Sequence, residues 1–196
     1  MERPTIEKIH SVMKAAGMKV FETPYSVTLG GVRTKDNSSN KFNDWIFASF
    51  FLEGGGMESI IIPGTTDAGL YYRENPINKD GTCIIQHDVQ HMGAYTYMEK
   101  GGHKGQEAFR QTGKMKYWRD ANRDEYLDFD GKEQFNISNT NGHDMGTLGN
   151  DVNKWSAGCW GSTKEKMDLL YGYGKAQMKH GLGDTFSFAL LHEDMF

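Results

Sequence analysis

Trp45-Ile46-Phe47-Ala48-Ser49-Phe50-Phe51-Leu52, followed by Gly54-Gly55-Gly56 and then by Met57 through Ile62, is the stretch on which the fold class turns. The first run is strongly apolar and rich in aromatic side chains, which suits a strand. Three glycines stop it and give the backbone freedom to reverse. The apolar pattern resumes at once, so the two runs are expected to pair as a hairpin.

Upstream, Tyr25, Val27 and Leu29 alternate with Ser26, Thr28 and Gly30. A period of two marks strand, so Lys19 to Arg33 reads as one or two strands interrupted at Pro24. Residues 1–18 form an N-terminal helical segment: Ile6, Ile9, Val12 and Met13 recur at helical spacing, Thr5 can cap the helix and Gly17 can end it. Downstream, Asp36 to Asn43 is a polar loop and Thr65 to Asn78 a long shaped one. Strands are expected at Thr82 to Gln86, within Ala108 to Trp118, at Phe135 to Ser138 and at Phe186 to Leu191. Ser162 to Tyr171 reads as a helix, with Ser162 and Glu165 spaced as a capping box. The chain is therefore expected to be mainly β with a few short helices, its mixed β-sheets built around one core. Residues 1–196 read as a single domain, with no repeat and no internal boundary.

Composition excludes several classes. The 196 residues carry a formal charge of −4 with Lys and Arg scattered, so no concentrated basic field suggests a nucleic-acid partner. No run approaches the ~18 apolar residues of a membrane span, and Met1 to Thr5 lacks the apolar centre of a secretory signal. Two cysteines make no disulfide framework. Cys83 lies in Thr82-Cys83-Ile84-Ile85 and is expected to be buried in a strand; a reducing compartment follows.

Cys159 stands in Lys154-Trp155-Ser156-Ala157-Gly158-Cys159. A glycine just before a cysteine permits a sharp bend that exposes the sulfur, and backbone N–H groups at such a bend can converge on an oxyanion. A thiol becomes an effective nucleophile when its pKa falls or a base takes its proton. His143 is the nearest histidine in sequence and the first candidate base. His87, His91 and His103 form a second pool; with Asp144 they contain metal-ligating atoms, but in no defined zinc spacing. The opposing reading is a structural cysteine buried between core tryptophans. Separately, Asp120, Asn122, Asp124 and Asp128 place side-chain oxygens at relative positions 1, 3, 5 and 9, as in the first part of a calcium loop. The Gly at position 6 and the Glu at position 12 are missing, so an acidic turn held by Asx hydrogen bonds competes with a structural calcium site.

Trp155-Ser156-Ala157-Gly158-Cys159 resembles the Ser-x-Gly-Cys signature of the L,D-transpeptidase catalytic domain, particularly of a phage- and prophage-encoded branch of peptidoglycan hydrolases. Supporting segments follow in order: Gly31-Val32-Arg33, Phe42-Asn43-Asp44-Trp45, Thr65-Thr66-Asp67-Ala68-Gly69, Gly81-Thr82, Gly102-His103-Lys104-Gly105, Tyr117-Trp118-Arg119-Asp120, Asn122-Arg123-Asp124 and Leu127-Asp128. The resemblance implies an L,D-transpeptidase-like domain whose cysteine attacks a peptide bond of the peptidoglycan stem, giving an acyl-enzyme that water or an amine resolves. Cys159 would be the nucleophile, Gly158 and Cys159 would supply the oxyanion hole, Ser156 would support it, and no organic cofactor would be required. Ser138, Asn139, Trp155, His91 and His103 become candidate substrate contacts, with Asn141, Asp144 and Asn150 as further groove groups. Phage particle proteins become candidate partners, and a chain made in the cytoplasm would reach the wall at lysis or on a virion.

One departure bears on mechanism. The family places its base histidine at the end of an Ile-Asn-x-His strand, and the equivalent run here, Phe135-Asn136-Ile137-Ser138, ends in serine. Ala157 also replaces the His common before Gly-Cys. Either His143 or another histidine serves Cys159, or the chemistry has been lost. The expected activity is a cysteine peptidase of the carboxypeptidase, endopeptidase or transpeptidase type. The alternative is a degraded relative that binds cell wall or builds a phage particle.

Overall fold

The structure is a computed structural model that describes residues 1–38, 40–146 and 151–196. The glycine hairpin forms as expected. Strands β2 (Asp44–Phe51) and β3 (Met57–Gly64) pair antiparallel from Asp44 opposite Gly64 to Phe51 opposite Met57. Gly54, Gly55 and Gly56 all take positive φ, at 82°, 100° and 90°, a region that a Cβ would disfavour.

Strand β1 (Thr28–Arg33) lies antiparallel to β2 on one side and parallel to β11 (Thr185–His192) on the other. From β11 the sheet continues through β5 (Val89–His103), β6 (Gln106–Gln111), β9 (Gly142–Asp144) and β10 (Trp160–Ser162), making eight strands. The sheet is mixed, since β9 and β10 also run parallel. It curls into a near-barrel: Thr65, just after β3, and Gly161 in β10 exchange backbone hydrogen bonds of 2.8 and 2.9 Å. A second sheet of β4 (Thr82–Ile85), β7 (Met115–Asp120) and β8 (Gln134–Asn136) packs against it.

The main core lies inside this curl. Trp160 stacks on Phe188 at 4.6 Å between ring centroids and meets Tyr95 edge-on at 5.6 Å. Such pairs add about 0.5–1.5 kcal/mol each beyond area burial. Cys83, Ile85, Met115 and Tyr117 from the second sheet join the same cluster, as do Met167, Leu170 and Tyr171 of α3 (Lys164–Lys179). The opposite face of β1, β2, β3 and β11 is covered by α1 (Ile6–Ala15), whose Ile6, Ile9, Val12 and Met13 meet Val32, Phe47, Ile61, Ala189 and Leu191. Thr5 caps α1 as expected, its hydroxyl accepting the Lys8 N–H at 3.3 Å.

Several elements differ from the sequence reading. Of Lys19 to Arg33 only β1 is strand. The loop after β3 contains a short helix, α2 (Leu70–Glu74). Ala108 to Trp118 divides between two strands in different sheets. The helix expected from Ser162 to Tyr171 starts after Thr163 and runs on to Lys179, and the Ser162 hydroxyl donates to Pro63 O at 2.6 Å instead of capping it. No helix among the described residues is long and apolar enough to cross a membrane.

A buried polar strut fixes the segment after β3. Arg33 is fully buried; its Nε pairs with Asp67 Oδ1 at 2.9 Å, and its Nη atoms donate to Ile85 O and Thr66 O. Asp44 accepts from the N–H and hydroxyl of both Thr34 and Thr66. Buried charge persists only where it is paired and hydrogen-bonded. The strut therefore holds Thr65 to Gly69 in place, and this segment supports the cysteine turn.

Candidate functional site

The segment leading into Cys159 is docked at several points. Gly69 donates to Ser156 O at 2.9 Å, and Asn40 Oδ1 accepts from both Leu70 and Asn153 N–H groups at 2.9 Å. Ser156 is completely buried; its hydroxyl donates to Cys159 O at 2.7 Å and accepts the Gly158 N–H at 3.1 Å. Gly158 sits at φ 122°, where a Cβ would come within 2.7 Å of Cys83 O. A side chain there is excluded by backbone conformation and by β4 alike. Trp160 then turns into the core, and Cys159 faces the other way.

These bonds bear on the roles expected of Gly158 and Ser156. The Gly158 N–H is committed to Ser156, so within the expected oxyanion pair only the Cys159 N–H is without an acceptor among the described residues. Ser156 braces the turn from inside and does not line the cavity.

Cys159 is 8% exposed and sits on the wall of a cavity of about 360 Å³. Its Sγ accepts the Asn141 N–H at 3.3 Å and lies 4.0 Å from Asn139 O, the distance of a weak S–H donor contact. Burial pushes the thiol up to about 11, opposed by the Asn141 N–H and the charge of Lys104. Cys83 lines the same cavity and is likewise pushed up to about 11 by burial; both cysteines are free.

Against Cys159 lies the stretch in which the resemblance leads one to expect a histidine. Ser138 and Asn139 both line the cavity. Gln111 organises them: its side-chain oxygen accepts from the N–H and hydroxyl of both Ser138 and Thr140, at 3.0 to 3.2 Å. Sequence reasoning missed this glutamine, because its partners are 27 and 29 residues away.

The histidines gather elsewhere. His143, in β9, donates from Nδ1 to Asp144 O at 2.6 Å, and its buried Nε2 has no partner. Its ring stacks on His103 at 4.1 Å between centroids, and His103 Nδ1 meets the Asn141 side-chain amide at 3.1 Å. Burial, then the neighbouring His103, pushes His143 down to about 4. His91 is buried in β5 with Nε2 on Gln86 O at 3.0 Å, and burial lowers it to about 4. None of the three lines the Cys159 cavity, and no histidine is hydrogen-bonded to Sγ. Trp155 is about half exposed, at 47%, and lies against Gly146. Asn141 links the two regions, through its backbone to the sulfur and through its side chain to His103. Asp144 caps Gly146 N–H at 3.3 Å; Asn150 lies outside the described residues.

The acidic run closes on itself. Asp120 accepts from the Asn122 and Asp128 N–H groups, Asp124 accepts from Tyr126 N–H, and the Asn122 amide donates to Asp124 and Asp128. The side-chain oxygens read as calcium ligands thus accept from the loop's own N–H groups, the geometry of Asx turns. Among the described residues no group of three or more His, Cys, Asp or Glu is arranged to hold a metal.

A residue absent from the sequence-level site enters through strand pairing. Arg119 in β7 stands opposite Cys83 in β4, and it lines the cavity with Cys159. The available sequence signal was an arginine within an aromatic strand, Tyr117-Trp118-Arg119; its proximity to the cysteines is set by the β4–β7 register. Compared with protein-family models, curated proteins and solved structures, the chain gives no match.

Proposed function

We propose that this chain is an L,D-transpeptidase-like domain that uses the Cys159 cavity to bind the peptidoglycan stem peptide, with Cys159 held as a thiol. The observation that carries the reading is a cavity lined by Ala157 and Cys159 of the Ser-x-Gly-Cys turn and by Ser138, with no imidazole among its described lining residues. With the thiol at about 11, roughly one molecule in 10⁴ carries a thiolate at pH 7. A general base is what would take that proton, and no imidazole lines the cavity among the described residues. Together these leave little acyl transfer, whereas binding needs neither. Ile77 and Ile137, exposed at the cavity's edge, offer apolar surface to a peptide. Carriage to the wall on a phage particle, or release at lysis, belongs to the same proposal.

A second reading, a working cysteine peptidase with His143 as base, is favoured by the Asn141 link and by the unpartnered Nε2 of His143. It requires the imidazole to leave its stack on His103.

Co-sedimentation with purified peptidoglycan, with mass analysis of the supernatant, separates the two. The expected result is sedimentation with the wall and no soluble muropeptides for wild type and Cys159→Ala alike. Product release by wild type that disappears in both Cys159→Ala and His143→Ala would establish the peptidase instead.

A further inference from the structure

Arg119 is the charged residue on the cavity wall; no acidic side chain lines it among the described residues. Its guanidinium makes one protein hydrogen bond, Nη1 to Gly81 O at 3.2 Å, lies 4.9 Å from the centroid of the Tyr117 ring, and leaves a buried Nε without an acceptor. The carboxylates next in sequence are spent on their own loop, Asp120 on the Asn122 and Asp128 N–H groups and Asp124 on Tyr126. A partly buried cation with one neutral partner has lost hydration that the protein does not replace. An anion entering the cavity would give the guanidinium a charged acceptor where it lines the wall, and a planar carboxylate matches its fork.

The cavity restricts the class of ligand. At about 360 Å³ it is at the small end of the ~300–1,000 Å³ of ligand pockets. Tyr72, Pro76 and Ile77 contribute apolar surface to the lining, and Ser138 and Asn139 contribute polar groups. A short peptide end fits this set: a side chain on the apolar surface, main-chain groups toward Ser138 and Asn139, and a terminal carboxylate at Arg119.

Building on the stem-peptide reading, we infer that Arg119 is the carboxylate anchor of the cavity and sets its preference for a peptide with a free C-terminus. The peptide's carboxylate then lies on the β4–β7 wall beside Cys83, and its last residues run past Cys159.

Titration calorimetry with two matched pairs tests this: a stem tetrapeptide as free acid and as C-terminal amide, and N-acetyl-glycylglycine as acid and amide. Wild type is expected to bind the stem acid at least about tenfold more tightly than its amide, the worth of one charge-assisted contact. Arg119→Gln should abolish that preference, and Arg119→Lys, which keeps the charge but not the fork, should restore part of it. Melting curves establish that both variants are folded. Equal binding of the stem acid and amide by wild type would overturn the anchor and leave the stem-peptide reading standing. An acid preference of the same size with glycylglycine, equally dependent on Arg119, would keep the anchor and remove the stem-peptide reading. Failure of every peptide to bind folded wild type would overturn both.

Discussion

Arg33 and Arg119 are both strand arginines, the first fully buried and the second partly, and they are treated in opposite ways. Arg33 has a carboxylate at 2.9 Å, two carbonyl acceptors and the Thr66 hydroxyl. Arg119 has one carbonyl. The first is completed within the chain, so removing it would leave charge behind; the second is incomplete until something else arrives. Buried polar groups satisfied internally hold a fold together, and those left short of partners in a cavity mark where a ligand can contribute.

The largest effect expected from this contrast is on stability. Arg33→Ala strands Asp67 and removes a countercharge of Asp44 in the interior, so unfolding free energy should fall by about 3–5 kcal/mol. Arg119→Gln loses one hydrogen bond and should cost about 1 kcal/mol or less. Urea unfolding of the two variants measures the difference; similar losses would mean that Arg119 is as structural as Arg33.

A second contrast lies between two buried histidines, His91 with its Nε2 satisfied and His143 with its Nε2 orphaned. Burial places both at about 4 when folded, below the usual 6.5. A lowered histidine contributes stability that is full above pH 6.5 and is lost as pH falls through 4. Each loss is on the order of 3 kcal/mol. Asp44 works the other way: burial, then Asp67, raises it to about 6. Its contribution is full below its ordinary 3.8 and is lost as pH rises through 6, so acidification returns a similar amount. Net destabilisation is therefore expected between pH 6.5 and 4, and His143→Phe should remove much of it. Urea midpoints at pH 7 and 4 that differ equally in wild type and His143→Phe would contradict this assignment.

The smallest effect concerns the acids beside Arg119. Because the Asp120 to Asp128 oxygens already accept from loop amides, adding calcium or a chelator should move the melting temperature by less than ~2 °C, below the shift expected for even 1 kcal/mol. A rise of several degrees with calcium would mean that an ion replaces those amides.

Legibility followed the range of the interactions. The β2–β3 hairpin and α1 depend on neighbours in sequence, and alternation, the three glycines and the Thr5 cap were sufficient to place them. β5 was not legible: Gly93 takes φ 60° and the pairing with β11 shifts between Phe186 and Phe188, so the alternation is broken over His91 to Tyr97. The cysteine turn was legible because Gly158 and Ser156 act within three residues of Cys159. The relation of Cys159 to the histidines was not, because it depends on which way β9 faces. Arg119 was legible only as part of a strand, since its place beside Cys83 comes from a register between segments 36 residues apart.

Cys159 Sγ contacts Asn141 N and Asn139 O and no imidazole, and whether a base nonetheless serves it is tested most directly by the pH dependence of iodoacetamide alkylation in a Cys83→Ser background. The rate should keep rising with pH through 9 and 10 toward the thiol's value of about 11, and His143→Ala should leave the profile unchanged. A rate that reaches its plateau near neutral pH, and loses that plateau in His143→Ala, would contradict a Cys159 without a base and return it to the role of an activated nucleophile.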